Sequence, residues 1–419
     1  MWTRRTFLKT GGLALVTFGA GPAFLARAAA ATSGSGGRRR TLVAIFQRGA
    51  MDGLMAVPPL GSPELSSLRP RLGMSAARTA GEEAVIDLGV GFGLHPAFAP
   101  LAPWFREGQL AIVHAVGSPD PTRSHFDAQD YMEAGTPGRK GTPSGWLNRA
   151  VALAPAAASS PFRAMALTPA LPRSLYGDAP ALAVADLAAF RLQSPGAVAA
   201  ATSGEGFEAL YEATAQRLLR DAGNETFEAA ERLRALDVER YRPASGASYP
   251  AGPLGKALRQ IAQLIKADVG LEVAFAESTG WDTHVQQGTA QGAFARAGRE
   301  LATAIGAFWT DLGERRADVV LSTMTEFGRT ARENGSGGTD HGHGSCLFVL
   351  GENALGGKVH GTFPGLGPEA LFEGRDLAVT TDFRSVFSEL AAGHLGIVAD
   401  PKALFPGWSG ARLPLLRRA

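Results

Sequence analysis

The chain has 419 residues, 45% of them hydrophobic, with 41 basic and 39 acidic side chains for a net charge of +2. So even a balance gives bulk electrostatics no hold on nucleic acid or on an anionic membrane surface. One cysteine, Cys346, excludes an internal disulfide framework and a cysteine-ligated zinc site.

The first 31 residues read as a twin-arginine export signal. Arg4-Arg5-Thr6-Phe7-Leu8-Lys9 is followed by an apolar stretch from Gly11 to Leu25 and then by the small-residue run Ala28-Ala29-Ala30. The apolar stretch is shorter than the ~20 residues that span a bilayer, which favours cleavage over anchoring. Residues 1–30 carry four basic residues and no acidic one, so a mature chain would have a net charge near −2. A periplasmic or otherwise exported protein is expected, handled by the twin-arginine translocase.

Residues 32–40 read as a linker. The first strand is Thr41 to Phe46, a continuous apolar run of the kind covered on both faces of a sheet. It leads into Arg48-Gly49-Ala50-Met51-Asp52-Gly53. A short helix at 98–105 precedes a second strand, 110–116, which ends in the polar loop 117–124. Residues 150–193 are rich in Ala and Pro, and 206–241 have helical spacing, so about 150–255 is the candidate for an inserted or peripheral helical lobe. Helix 254–268, strand 271–276, helix 293–312 and strand 319–322 follow, and then strand 346–350. Alternating strands and helices predict an α/β fold with a mostly parallel sheet sandwiched by helices over residues 41–419.

Ligands of such sheets bind outside the carboxyl ends of the strands. Asp52, Ser124, Asp282, His284, Glu326, Asp340 and His341 all fall in loops of that type. Asp52 suits a metal ligand or a turn with Gly53. Asp282 and His284 stand two apart, on the same side of an extended segment, so both can reach one ion; the alternative is a helix cap beside a surface histidine. Asp340 and His341, flanked by glycine, are the best-placed ligands, with His343 either a further ligand or a supporting donor. Glu326 suits a ligand or a general base, and Arg329 an anion clamp, unless the two simply pair. Ser118, Thr122 and Ser124 offer hydroxyl nucleophiles, although Ser124 is equally suited to cap a helix over 126–133. The donor set predicts a divalent metal, zinc first, with manganese, magnesium or calcium as alternatives.

The motifs Arg48-Gly49-Ala50-Met51-Asp52-Gly53, Arg123-Ser124-His125-Phe126, Gly280-Trp281-Asp282-Thr283-His284, Glu326-Phe327-Gly328-Arg329-Thr330 and Gly338-Thr339-Asp340-His341-Gly342 follow one another in this order. In that order, behind a twin-arginine start, they resemble the bacterial 1501 family of domains of unknown function. That family is in turn similar to the alkaline phosphatase and sulfatase superfamily. The resemblance implies an alkaline-phosphatase-like fold, with one ion on Asp52, Asp340 and His341, a second on Asp282 and His284, and Ser124 in the nucleophile region. The superfamily spaces its Asp and His pair four apart rather than two. The formylglycine mechanism is excluded, because Pro119 stands where the modified cysteine would be.

Two functions follow as expectations. The first is an exported metal-dependent hydrolase of phosphate or sulfate esters, acting on an anionic small-molecule or envelope substrate. The second is a non-catalytic envelope binding or assembly protein on the same fold, with a partner from the 1800 family that the resemblance associates with it.

Overall fold

The computed structural model describes residues 39–74, 84–155, 160, 162–187 and 240–417. The export signal, most of the linker and the expected helix at 206–241 lie outside the described residues.

Nine strands form one sheet. In chain order they are β1 (Thr41–Gln47), β2 (Leu110–Gly117), β3 (Ala164–Ala166), β4 (Leu182–Ala183), β5 (Val273–Ser278), β6 (Val319–Met324), β7 (Ser345–Gly351), β8 (Lys358–His360) and β9 (Thr381–Asp382). They lie side by side as β8-β2-β7-β6-β1-β5-β3-β4, with β9 also on β2. β1 is central and pairs in parallel with β5 and β6, Ala44 lying opposite Phe275 and Ser322. Only β7 runs against the rest, antiparallel to both β6 and β2. The sheet is therefore mostly parallel, as its unbroken apolar strands predict. Part of the stretch expected to be a helical lobe belongs to this sheet instead. β3 and β4 extend its edge beyond β5, and they are too short and too rich in alanine to show strand periodicity.

Side chains of β1 alternate between two apolar layers. Val43 and Ile45 pack with α4 (Pro253–Lys266) and α5 (Ala293–Leu312), whereas Leu42, Ala44 and Phe46 pack with α3 (Trp146–Leu153) and α6 (Phe383–Gly393). The α5 stripe of Phe294, Leu301, Ile305, Phe308 and Leu312 recurs at helical spacing and is buried. Each such side chain contributes about 1.5–3 kcal/mol on burial. Cys346 lies in β7, buried in this core, where burial pushes its thiol pKa up. No helix among the described residues is long and apolar enough to cross a membrane.

The carboxyl ends of β1, β2, β5 and β6 point to one edge of the sheet. The antiparallel β7 starts at that same edge, so the loop before it arrives where the other loops depart. This single reversal brings residues 339–344 to the segments that follow the parallel strands.

Candidate metal centre

Four side chains converge at this edge. His125 is the first residue of α2 (His125–Ala134), just past the loop that follows β2. Asp282 and His284 follow β5, and His341 precedes β7. Ligand atoms of His125, Asp282 and His341 all lie within 4.8 Å of one another. Around Asp282 Oδ1 stand His341 Nε2 at 3.5 Å, His125 Nε2 at 3.7 Å and His284 Nε2 at 3.1 Å. His284 Nε2 and His341 Nε2 are 2.8 Å apart.

The outward nitrogen of each imidazole is already committed. His125 Nδ1 donates to Glu326 Oε1 at 2.8 Å, His284 Nδ1 to Asp340 Oδ1 at 3.0 Å and His341 Nδ1 to the Arg123 carbonyl at 2.8 Å. Carbonyls and carboxylates accept only, so each neutral ring carries its proton on Nδ1 and turns a lone pair inward from Nε2. His125 Nε2 is buried with no hydrogen-bond partner. Two lone pairs facing each other at 2.8 Å repel, and a buried ring nitrogen without a partner costs energy. A cation between them removes both penalties.

Geometry agrees. Donors 2.0–2.2 Å from a tetrahedral ion sit about 3.3–3.6 Å apart, and the four separations bracket that value. Imidazoles whose other nitrogen binds a carboxylate or carbonyl are the usual arrangement behind a metal. Three imidazoles and one carboxylate suit zinc, with manganese or another divalent ion as alternatives.

Surrounding residues fix these side chains. Glu326 is fully buried; burial alone would raise its pKa, but hydrogen bonds from His125, Gln129 and the Gly49 amide outweigh this and lower it. The Glu326 contact in turn raises the pKa of His125, whereas burial lowers that of His341. For Asp282, too, burial opposes ionisation but the Arg329 guanidinium prevails, and the carboxylate is held ionised. His284 is the main reason that the Asp340 pKa falls. Glycine makes the crowding possible. Gly49 has φ +112° and its position would set a Cβ 2.6 Å from the Asp282 amide, while a side chain on Gly338 would collide with the His284 carbonyl. The two limbs of the loop between β6 and β7 also pair, with Arg329 opposite His341 and Gly342 N donating to Gly328 O at 2.9 Å.

Several expected roles change. Asp52 caps the short helix α1 (Gly53–Ala56), and its oxygens accept from Arg69 at 2.8 and 3.1 Å and from Gln287 at 2.7 Å, so this buried carboxylate is neutralised in place rather than joining the cluster. Asp340 and Glu326 support histidines from behind. Arg329 is buried and spends its guanidinium on Asp282 and on the carbonyls of Gly49, Ala50, Trp281 and Thr339, which leaves it unable to clamp a substrate anion. Ser124 is the N-cap of α2, its hydroxyl accepting from the Asp127 amide at 3.5 Å; no hydrogen bond among the described residues joins it to the clustered imidazoles. His343 is buried against the Phe372 ring, 4.5 Å between centroids, away from the cluster. Of the two ligand sets implied for two ions, His341 from one and Asp282 and His284 from the other meet at one point. His125 joins the cluster although the sequence drew attention to its neighbour Ser124 instead; its place straight after a strand-end loop was the available signal.

Comparison with known families assigns the chain to one of them. The chain belongs to the family described as "Protein of unknown function (DUF1501)", which matches residues 73–404. No curated protein matches the chain, and no solved structure does.

Proposed function

We propose that the protein is an exported metal-dependent hydrolase of phosphate or sulfate esters. The observation that carries this reading is the inward convergence of the Nε2 atoms of His125, His284 and His341 on Asp282 Oδ1, at 3.1–3.7 Å. A divalent ion held there supplies Lewis-acid charge stabilisation and an activated water. The chain's own part is to aim the donors. Glu326, Asp340 and the Arg123 carbonyl hold the three rings, and Arg329 holds Asp282. Asp340, half exposed, acts through His284, whose Nδ1 it holds at 3.0 Å. Because Ser124 is engaged as a helix cap, water rather than a serine hydroxyl is the nucleophile in this reading. The similarity expected between the 1501 family and the alkaline phosphatase and sulfatase superfamily supports ester hydrolysis, and the twin-arginine motif supports export.

The test is elemental analysis of the purified protein, wild type beside His125→Ala and Asp282→Ala, with aryl phosphate, phosphodiester and aryl sulfate assayed on the same samples. About one ion per chain in wild type, lost together with turnover in both variants, is expected of a single tetrahedral donor set. Wild-type protein that retains no ion and turns over no substrate after loading with zinc, manganese, magnesium or calcium would overturn the reading. The engagement of Ser124 as a cap favours one alternative, a non-catalytic envelope binding protein that uses the same ion to hold its ligand.

A further inference from the structure

The surroundings of the centre restrict what can enter it. Three arginines, Arg329, Arg123 and Arg375, bond to its residues, a fourth, Arg48, directly precedes Gly49 of the neighbouring loop, and each already has a partner. Arg329 is buried, Arg48 pairs with Glu133 and Glu277, Arg123 with Asp376 and Glu373, and Arg375 lies against Asp376 and the His341 carbonyl. The side chains most open to solvent at the centre are carboxylates, Asp282 at 50% and Asp340 at 51% exposure. A doubly charged anion would meet these with only the ion to offset its charge.

The rim is apolar. Among the described residues few large hydrophobic side chains are exposed, yet Phe126 is 90% exposed and Val285 62% exposed. Each directly follows a histidine of the cluster, Phe126 after His125 and Val285 after His284. Their backbones are fixed by the same loops that aim the ligands, one at the start of α2 and the other in the segment whose Gln286 amide donates to the Ser336 carbonyl at 3.1 Å. Isolated exposed apolar residues need no explanation, but two that each directly follow a clustered histidine are suited to receive an apolar ligand group.

We infer that the site takes an amphiphilic, singly charged ester, a sulfate monoester or a phosphodiester bearing an alkyl or aryl group, and that Phe126 and Val285 receive the apolar part. This rests on the metal-centre reading and narrows it, placing phosphate monoester dianions outside the preferred class. Phe126 and Val285 are then specificity residues that act on binding, not on the ion.

The experiment is calorimetric binding to ion-loaded full-length protein, which requires no turnover. The probes are methyl- and octylphosphonate, dianions at mildly alkaline pH, and their monomethyl esters, monoanions with the same chains. Lengthening the monoanion from methyl to octyl should tighten binding by about tenfold or more, the gain expected from covering one aromatic ring. Phe126→Ala should remove most of that gain with the ion content unchanged, and Val285→Ser a smaller share. No dependence on chain length, a gain that survives Phe126→Ala, or tenfold tighter binding of the octyl dianion than of its monoester would overturn the inference. Chain-length-dependent binding to a protein that hydrolyses none of the esters would leave the ligand class standing and remove the hydrolase reading. Preferred turnover of a phosphate monoester, without a chain-length effect, would do the reverse.

Discussion

Glu326 holds His125 by its Nδ1 at 2.8 Å while accepting from Gln129 and from the Gly49 amide, each at 2.9 Å, so one buried carboxylate oxygen ties the start of α2 to the loop after β1. Glu326→Gln keeps the shape but loses the charge that aims the ring. Loss of a supporting carboxylate of this kind weakens ion affinity by roughly 10- to 100-fold. A competition titration against a chelator reads this directly, and an unchanged affinity would show that His125 does not hold the ion.

Removal of the ion should lower thermal stability, because a ligand that binds only the folded state stabilises it by about 2.7 kcal/mol at a hundred times its dissociation constant. Scanning calorimetry with and without chelator should give a difference of a few degrees in wild type and none in His341→Ala. An equal chelator effect in both proteins would place the ion elsewhere.

Asp52 and Arg69 form a pair with both side chains about 1% exposed. Breaking a buried pair from one side costs roughly 3–5 kcal/mol. Asp52→Ala should therefore be strongly destabilised in urea unfolding, yet keep its ion stoichiometry where it folds, whereas Asp282→Ala loses the ion. Loss of ion from folded Asp52→Ala, with the fold otherwise intact, would restore Asp52 to the ligand set.

Ser124→Ala should cost only about 0.5–2 kcal/mol, the worth of an N-cap, and toward the lower end given its 3.5 Å bond to the Asp127 amide. Turnover per folded molecule should remain, and Ser124→Asp should restore stability. A loss of turnover by several orders of magnitude in stable protein would identify Ser124 as the nucleophile after all.

Acid should destabilise the fold through three histidines outside the centre. Burial drops His95, His114 and His394 to about 4, and their rings donate from Nε2 to the carbonyls of Thr289, Val57 and Thr41. Their folded pKa values lie below the ordinary 6.5, so the unfolded chain takes up protons first. Stability is then fully present above pH 6.5 and falls as pH drops toward 4, by roughly 1.4 kcal/mol per pH unit for each ring. Urea unfolding in chelator across that window should show the slope, and His394→Gln should flatten it by about a third. A slope unchanged in this variant would remove His394 from the account.

Much of the fold was legible because the strands around β1 are buried on both faces and so read as unbroken apolar runs, and because α5 repeats its apolar residues at helical spacing. β3 and β4 were not legible, being three and two residues long and without periodicity. In the candidate site, donor type and glycine context singled out Asp282, His284 and His341, which the structure brings together. Sequence could not separate the inward-facing groups from their supports, since Asp340 and Glu326 are as suitable by chemistry as Asp282. Only the direction of the Nδ1 bonds distinguishes them. Nor could it show that Arg69 stands against Asp52, because that contact depends on how a helix and a distant loop pack.

The reversal at β7 has a consequence for how the protein assembles. The chain leaves the ligand edge after Met324 and returns to it before Ser345 without crossing the sheet, so Glu326, Arg329 and His341 are set by one short closure of low entropic cost. His125 and Asp282 reach the same point only after long crossovers. An ion bound by all of them joins segments from three distant parts of the chain, as a late-forming crosslink would. It therefore resists the parting of β2, β5 and the β6–β7 loop, and unfolding that begins by separating these elements should slow when the ion is present.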